Sequence, residues 1–166
     1  MPGDAPAGPR VLVLGVGNPI MSDDGVGQRL LQALAASVPA LDGVEFLDAG
    51  TLGLVLLPRL ERCAALLALD AAQLGGAPGE LRVYEGAQLD EFLKTARTSV
   101  HELGLRDLLD AARLTGSLPA RRGLVGVQPA RLGWGTELSP AVEAALPAAT
   151  AAARQLLEQW LGAGAR

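Results

Sequence analysis

The sequence has 166 residues, of which 49% are hydrophobic and 19% charged, a composition typical of one ordered globular domain. The formal net charge of −4 and the aromatic content of 3% argue against nucleic acid and anionic membranes as partners. The single cysteine, Cys63, excludes an internal disulfide and a cysteine-rich zinc site, and it suits a reducing compartment.

Neither a secretion signal nor a membrane span is predicted. The first ten residues, "MPGDAPAGPR", contain no apolar segment, and no stretch reaches the roughly 18 apolar residues of a membrane helix. We therefore expect a cytoplasmic protein. Residues 1–9 are rich in Pro, Gly and Ala and predict a flexible N-terminal extension before a single α/β domain over residues 10–162.

The first predicted element is a strand, "RVLVLGVG" (residues 10–17), because a continuous apolar run ending in glycine is typical of a strand buried on both faces. A helix follows it, since apolar residues then recur at every fourth position. These positions are Val26, Leu30, Leu34 and Val38.

The middle of the chain predicts three more strands. "GVEFLDAG" (43–50) is the second strand, and "LVLLPRL" (54–60) is a short helix interrupted by Pro58. "CAALLALDA" (63–71) is a third, buried strand. "GELRVYEG" (79–86) is a fourth strand whose polar interruptions indicate the edge of a sheet.

The last third predicts two helices around a strand. "TSVHELGLRDLLDAARL" (98–114) has a helical apolar face, and "GLVGVQP" (123–129) is the fifth strand. The apolar face comprises Leu105, Leu108, Leu109 and Ala112. A long helix begins at Ser139 as N-cap with Pro140 in its first turn, and Pro147 should kink or split it.

Strands that alternate with helices predict an α/β fold: a three-layer sandwich with a mostly parallel, twisted five-stranded sheet and helices on both faces. Ligands of such sheets bind beyond the carboxyl ends of the strands. The candidate functional residues are therefore the polar residues that follow each strand. They include Asn18, Asp23, Asp24, Asp48, Asp70, His101 and Gln128.

Two carboxylates and the only histidine of this set predict a metal-contacting site. His101 lies near the start of its predicted helix, in a capping-box pattern with Ser99 as N-cap and Glu102 at the third position. The positive end of the helix dipole disfavours imidazolium, which keeps a lone pair for a metal. Together with Asp24 and Asp70 it forms an oxygen and nitrogen set that suits nickel, zinc or iron better than calcium.

Each residue of this set also has a purely structural interpretation. Asp23 or Asp24 could cap a helix, because carboxylates stabilise helix N-termini. Asp70 could hold a loop, and a single histidine such as His101 is more often packed than ligating. The functional interpretation gains weight only if all of them meet at one edge of the sheet.

Other enzyme classes are less well supported by the sequence. "GVGNPI" (15–20) has two glycines of the dinucleotide-binding pattern, but Ile20 replaces the third. Neither a Walker lysine motif nor a G-x-S-x-G nucleophile turn is present. Cys63 opens the third strand and Asp70 closes it, roughly 23 Å apart at strand geometry, so this cysteine is not a nucleophile of the same site.

The segment "VLVLGVGNPIMSDDGVG" (11–27) resembles the N-terminal signature of the hydrogenase maturation endopeptidases, which process the large subunit of nickel–iron hydrogenases. The resemblance continues in order through five further segments and spans residues 11–160. These segments are "VEFLDAGTLG", "LLALDA", "HELGLRDLL", "LVGVQP" and "LSPAV".

The resemblance implies an endopeptidase of aspartic type that removes a short C-terminal extension from a hydrogenase large-subunit precursor once nickel has been inserted. It places the catalytic and nickel-contacting residues at Asp24, Asp70 and His101. The nickel belongs to the substrate, so the free enzyme need not hold it. The precursor is then the expected partner of a protein that we expect to be a monomer.

The resemblance leaves some points open. Many family members have glutamate where Asp24 stands, so the carboxylate is kept with a shorter reach. Two other functions use the same carboxylates: a nickel-delivery module that cuts nothing, and a nucleotide-binding domain with Asp23 and Asp24 near magnesium. We expect six further residues to shape the cleft: Gly17, Asn18, Asp23, Asp48, Gly50 and Thr51.

Overall fold

A computed structural model describes residues 10–51, 53–95 and 100–163, except for the side chains of residues 100–103 and 163. The predicted N-terminal extension, residues 1–9, lies outside these ranges. None of the helices in the described ranges has both the length and the apolar character that crossing a membrane requires.

The domain is built on one five-stranded sheet in the order β2-β1-β3-β5-β4. The strands are β1 (Val11–Val16), β2 (Val44–Gly50), β3 (Ala65–Ala71), β4 (Leu81–Glu85) and β5 (Arg121–Val127). The helices are α1 (Val26–Ser37), α2 (Leu57–Leu60), α3 (Ala87–Thr95), α4 (Val100–Leu114) and α5 (Pro140–Ala163). Two 3₁₀ turns precede α1 and α2, at Ser22–Gly25 and Leu54–Leu56.

The pairing confirms the predicted fold class. β1, β2, β3 and β5 are parallel, and β4 alone runs antiparallel, against β5 at one edge of the sheet. The edge position of β4 agrees with its polar interruptions. Both neighbours of β1 are parallel to it, so the carboxyl ends of β1, β2 and β3 lie at the same edge.

Two apolar layers cover the sheet, one on each face. Alternate residues of β1 point to opposite faces: Val11 and Val13 pack with α1 and α5, whereas Leu12 and Leu14 pack with α2, α3 and α4. The predicted apolar face of α4 is buried, and so is that of α1 except for Val38, which follows the helix as its C-cap and is only partly buried. The buried residues are Val26, Leu30, Leu34, Leu105, Leu108, Leu109 and Ala112.

The chain order produces a crevice between β1 and β3. The connection through α1 leads from β1 to β2 on one face, and the connection through α2 then leads back past β1 to β3 on the other face. The strand order therefore reverses at β1. Open α/β sheets bind ligands at such a reversal, outside the carboxyl ends of the two strands.

Helix α3 was not predicted. It follows β4 after a turn at Gly86 and buries Leu89 and Leu93 against the sheet. Asp90 on this helix accepts two hydrogen bonds from the guanidinium of Arg122 on β5, at 2.9 and 2.6 Å. Sequence reasoning missed α3 because its nine residues carry only a short apolar stripe among polar neighbours.

Helix α5 is one continuous helix of 24 residues that includes Pro147, so the expectation that this proline splits the helix was wrong. Proline removes one backbone hydrogen bond and crowds the preceding turn. Here the helix is buried on both sides of the proline, through Val142 before it and Ala149 and Ala153 after it. This packing keeps the helix continuous through Pro147.

Candidate functional site

Asp24 lies in the 3₁₀ turn Ser22–Gly25, between β1 and α1, and only 7% of its surface is exposed. Its Oδ2 accepts a hydrogen bond from the backbone N–H of Asn18, at 2.8 Å. Gly17, with φ of 132°, lies against the carbonyl oxygen of Asp24 so closely that no Cβ would fit between them. Glycine is therefore required where the loop after β1 folds back onto Asp24.

Asp70 is the penultimate residue of β3 and is 2% exposed. It follows Leu66 and Ala68 at alternate positions of the strand, and both of these pack in the layer that contains α4. Asp70 therefore belongs to the face of the sheet that α4 covers. The 3₁₀ turn that carries Asp24 contacts β3, the strand that carries Asp70.

His101 lies in the first turn of α4, and its side chain is outside the described residues. The predicted cap Ser99 and the side chain of Glu102 are also outside the description. The backbone of this helix is placed: a Cβ on Gly53, which follows β2, would lie 3.3 Å from the Cα of Gly104. His101 precedes Gly104 by three residues, which corresponds to a rise of about 4.5 Å along the helix. The backbone of His101 therefore lies near the loop that follows β2.

Among the side chains that the structure describes, no group of three or more His, Cys, Asp or Glu could hold a metal ion. That search does not include the imidazole of His101. The convergence of His101 with Asp24 and Asp70 therefore stays a prediction, while the backbone places all three near the carboxyl edge of the sheet.

Asp23 is fully buried and binds the loop after β5 rather than the helix that follows it. Its Oδ1 accepts the N–H of Ser139, and its Oδ2 accepts the N–H groups of Ala130 and Arg131 and the hydroxyl of Ser139. Burial raises the pKa of Asp23, but these hydrogen bonds outweigh it and leave the pKa below its ordinary value.

These contacts decide between two interpretations of Asp23. Both of its oxygens are used within the chain, at the start of α5. Asp23 therefore acts as a structural clamp between the loops after β1 and β5, and it is not available to hold a nucleotide-bound magnesium beside Asp24.

Ser22 reinforces the same clamp. Its backbone has φ of 53°, a left-handed conformation that is uncommon for any residue other than glycine. Its N–H donates to the carbonyl of Gly135 at 2.8 Å, and its hydroxyl donates to the carbonyl of Gly133 at 2.7 Å. Both the backbone and the side chain of this strained residue are hydrogen-bonded to the loop after β5, so that loop fixes the turn that carries Asp24.

The other predicted cleft residues form a second group around the end of β2. The N–H of Gly17 donates to the carbonyl of Gly50 at 2.8 Å, and Oδ1 of the exposed Asp48 accepts the N–H of Gly50 at 3.0 Å. Thr51 is exposed beside them. Gln28 on α1 also contacts Asp48 and was not predicted, because its partners lie 11 and 20 residues away in the chain.

Cys63 and Gln128 lie outside this group, and their contacts are structural. Cys63 precedes β3 at the opposite edge of the sheet. Burial is the main cause, and the nearby carboxylate of Glu45 the second cause, of the rise in the pKa of its thiol to about 11. Gln128 is buried after β5, and its Oε1 accepts the N–H of Leu74 at 2.6 Å. It ties the segments after β3 and β5 together.

Comparison with known proteins identifies the kind of chain that carries this site. A family model described as hydrogenase maturation protease matches residues 28–156. The chain belongs to the hydrogenase maturation protease family. The resemblance predicted from the sequence is confirmed, and the match includes Asp70 and His101.

Individual hydrogenase maturation proteins are similar over most of the chain. The hydrogenase expression/formation protein HupD of Rhizobium leguminosarum bv. viciae is 36% identical over 156 residues, covering 93% of this chain and 77% of that protein. The hydrogenase 2 maturation protease of Escherichia coli (strain K12) is 39% identical over 136 residues, covering 81% and 82%.

A solved hydrogenase maturation protease has the same fold. The hydrogenase maturating endopeptidase HybD from E. coli superposes with a TM-score of 0.84 at 36% sequence identity, covering 90% of this chain and 93% of that one. The predicted α/β fold and the predicted class of enzyme, a protease that acts in hydrogenase maturation, are therefore both confirmed.

Proposed function

We propose that this protein is an endopeptidase that removes a C-terminal extension from a nickel–iron hydrogenase large-subunit precursor after nickel insertion. In this proposal the nickel of the precursor is the recognition anchor, and Asp24, Asp70 and His101 contact it. The observation that supports the proposal is that Asp24 and Asp70 are both buried and that they follow β1 and end β3, the two strands between which the strand order reverses.

The burial of these two carboxylates supports a cationic substrate. Removing ionised carboxylates from water is costly unless hydrogen bonds or a cation compensate for it. The Asn18 N–H provides one such hydrogen bond to Asp24. Carboxylate oxygens are ligands of divalent metal ions, so a nickel ion carried by the precursor is a chemically suitable partner for both residues, and an empty precursor lacks it.

Recognition through nickel would also position the scissile peptide. Once the ion is held at the end of β1 and β3, the adjoining chain of the precursor is confined to the same edge of the sheet. Holding the reacting groups in place accounts for a large part of the rate enhancement in enzymes. The hydrolytic water then has two routes to activation, through the substrate nickel or through one carboxylate as general base.

A cleavage assay tests the proposal. Purified protein is mixed with nickel-loaded and with nickel-free large-subunit precursor, and shortening of the precursor is followed on gels. We expect cleavage of the nickel-loaded precursor only, and loss of cleavage in His101→Ala. Asp107→Ala, an exposed carboxylate on the same helix, is the matched control and should cut as the unmodified protein does.

Three results would overturn the proposal. Equal shortening of both precursors would reject nickel as the recognition anchor. Full activity of His101→Ala would reject the role of this residue. Tight nickel binding without any cleavage would instead indicate a nickel-delivery protein that uses the same ligands.

A further inference from the structure

Gln28, in the first turn of α1, places its amide between the loops that follow β1 and β2. Only 5% of the residue is exposed. Its Nε2 donates to the carbonyl oxygen of Gly17 at 2.6 Å and to Oδ1 of Asp48 at 3.2 Å. Both partners are oxygen acceptors, so the amide must present its nitrogen to them, and this fixes its orientation.

The carbonyl that Gln28 binds belongs to the same peptide unit as the N–H that binds Asp24. In a trans peptide the C=O of Gly17 and the N–H of Asn18 point in opposite directions. Gln28 holds the oxygen end at 2.6 Å, and Oδ2 of Asp24 accepts the hydrogen end at 2.8 Å. One peptide plane therefore links the Gln28 amide to the Asp24 carboxylate.

Without the amide, this peptide would have little reason to keep its orientation. Gly17 has no side chain to hinder rotation, and its φ of 132° lies in a region open mainly to glycine. Rotation of the Gly17–Asn18 peptide would withdraw the N–H from Asp24. The contact with Gln28 restrains the opposite end of that plane.

The same amide closes a ring of hydrogen bonds across two strand ends. Gly17 donates to the carbonyl of Gly50, and Gly50 donates to Oδ1 of Asp48. Gln28 completes the ring by donating to both Asp48 and Gly17. The ring connects the start of α1 to the loops after β1 and β2 through one side-chain amide.

An apolar residue would be easier to bury at position 28. Oε1 of Gln28 is buried and accepts no hydrogen bond from any residue in the described part of the chain. Burying such an oxygen is unfavourable, and an isosteric apolar side chain would avoid it. The contribution of glutamine therefore lies in the two hydrogen bonds that its nitrogen donates.

We propose that Gln28 is a positioning residue for Asp24. It orients the Gly17–Asn18 peptide so that the N–H of Asn18 holds the Asp24 carboxylate in the geometry that meets the nickel of the substrate. This inference rests on the proposed function, because it assigns Gln28 a role in presenting one of the proposed nickel contacts. Mutation of the hydrogen-bond partners of metal ligands typically lowers metal affinity or activity by about 10- to 100-fold.

Two substitutions test the role of the donor. Gln28→Met keeps the shape and removes the donor, and Gln28→Glu removes the donor and places a carboxylate against two oxygens. Gln32→Met, on the exposed face of α1, is the matched control. The amide proton of Asn18 is followed by NMR in the nickel-free protein, and cleavage rates are measured with nickel-loaded precursor.

We expect Gln28→Met to lose the hydrogen-exchange protection of the Asn18 amide and to cut about tenfold or more slowly, with Gln28→Glu slower still. Gln32→Met should leave both readouts unchanged. Retained protection of the Asn18 amide in Gln28→Met, or lost protection with unchanged cleavage, would overturn the positioning role. Failure of the unmodified protein to cut the precursor would instead overturn the proposed function.

Discussion

Gly27, in the first turn of α1, lies against the carbonyl oxygen of Leu69 near the end of β3, so closely that a Cβ on residue 27 would be 2.5 Å from that oxygen. The same Cβ would lie 2.8 Å from the backbone nitrogen of Val16 in β1. The missing side chain lets α1 begin directly on the ends of β1 and β3. Asp24 precedes this contact by three residues and Asp70 follows Leu69, so the contact brings their two segments together.

Gly27→Ala should destabilise the protein by about 3 kcal/mol or more, because the added methyl meets backbone atoms that cannot move aside as a side chain would. Urea unfolding at neutral pH measures the change. Gly162→Ala is the matched control, since a Cβ there meets nothing within 4 Å and the residue lies inside α5. The control should leave stability unchanged or raise it by up to about 1 kcal/mol. Equal stabilities of the two variants would contradict the close packing.

Asp23→Asn should destabilise the protein by about 3 kcal/mol at pH 7, because the amide cannot accept the four hydrogen bonds that the carboxylate accepts. The pKa of Asp23 is below its ordinary value of 3.8 in the folded state, so folding favours the ionised form. The contribution of the Asp23 carboxylate to the free energy of unfolding is therefore complete above about pH 5. It is lost as the pH falls below 4 toward the lowered pKa.

Urea unfolding of Asp23→Asn and of the unmodified protein at pH 7, 5 and 3 tests the predicted direction of this pH dependence. The difference between their unfolding free energies should be the same at pH 7 and 5 and should narrow at pH 3. Asp42→Asn, which changes an exposed turn, should stay within about 0.5 kcal/mol of the unmodified protein. A difference for Asp23→Asn that is constant down to pH 3 would show that the carboxylate charge is not involved.

The sequence predicted those features that short windows carry. The apolar runs of β1 and β3 predicted a buried parallel sheet, and from that the position of Asp70 at a strand end followed. The sequence offered Asp23 as a helix cap, a cleft residue or a magnesium ligand, and it did not predict the contact with Ser139, which lies 116 residues away. The role of Gln28 depends on a bend of the chain at Gly17, which no local pattern specifies.

Where local rules failed, tertiary packing was the cause. Pro147 should end a helix by its intrinsic preference, yet burial of Val142 and Ala149 on either side keeps α5 continuous. Helix α3 has too short an apolar stripe to be predicted, and it is held by the ion pair between Asp90 and Arg122. Such contacts become visible only when the sheet order is known.

Asp24→Glu should keep cleavage of nickel-loaded precursor within about tenfold of the unmodified protein, whereas Asp24→Asn should lose at least about 100-fold. The reason is that a nickel contact needs the carboxylate charge, and the resemblance implies that glutamate can supply it from this position. Rates from a gel-based time course, with circular dichroism to verify folding, give the comparison. An Asp24→Asn variant that cuts at the original rate would exclude Asp24 from the nickel contact.

Cys63 should be unreactive and dispensable. Burial and the charge of Glu45 raise the pKa of its thiol to about 11, so the thiolate is about 100-fold rarer at neutral pH than for an ordinary cysteine. Reaction with a thiol-specific disulfide reagent at pH 8 should be about 100-fold slower in the folded protein than in urea. Cys63→Ala should cut the precursor normally. Rapid labelling that abolishes cleavage would contradict both statements.

The central claim is that Asp24, Asp70 and His101 contact one nickel ion. His101 is the only histidine, so a protein labelled with ¹⁵N-histidine and prepared without a histidine tag gives the ring-nitrogen signals of one imidazole to follow during nickel titration. We expect nickel to broaden these signals, and we expect Asp24→Asn and Asp70→Asn each to require at least about tenfold more nickel for the same broadening. Identical titrations of the three proteins would show that the imidazole binds nickel without the two carboxylates and would contradict the claim.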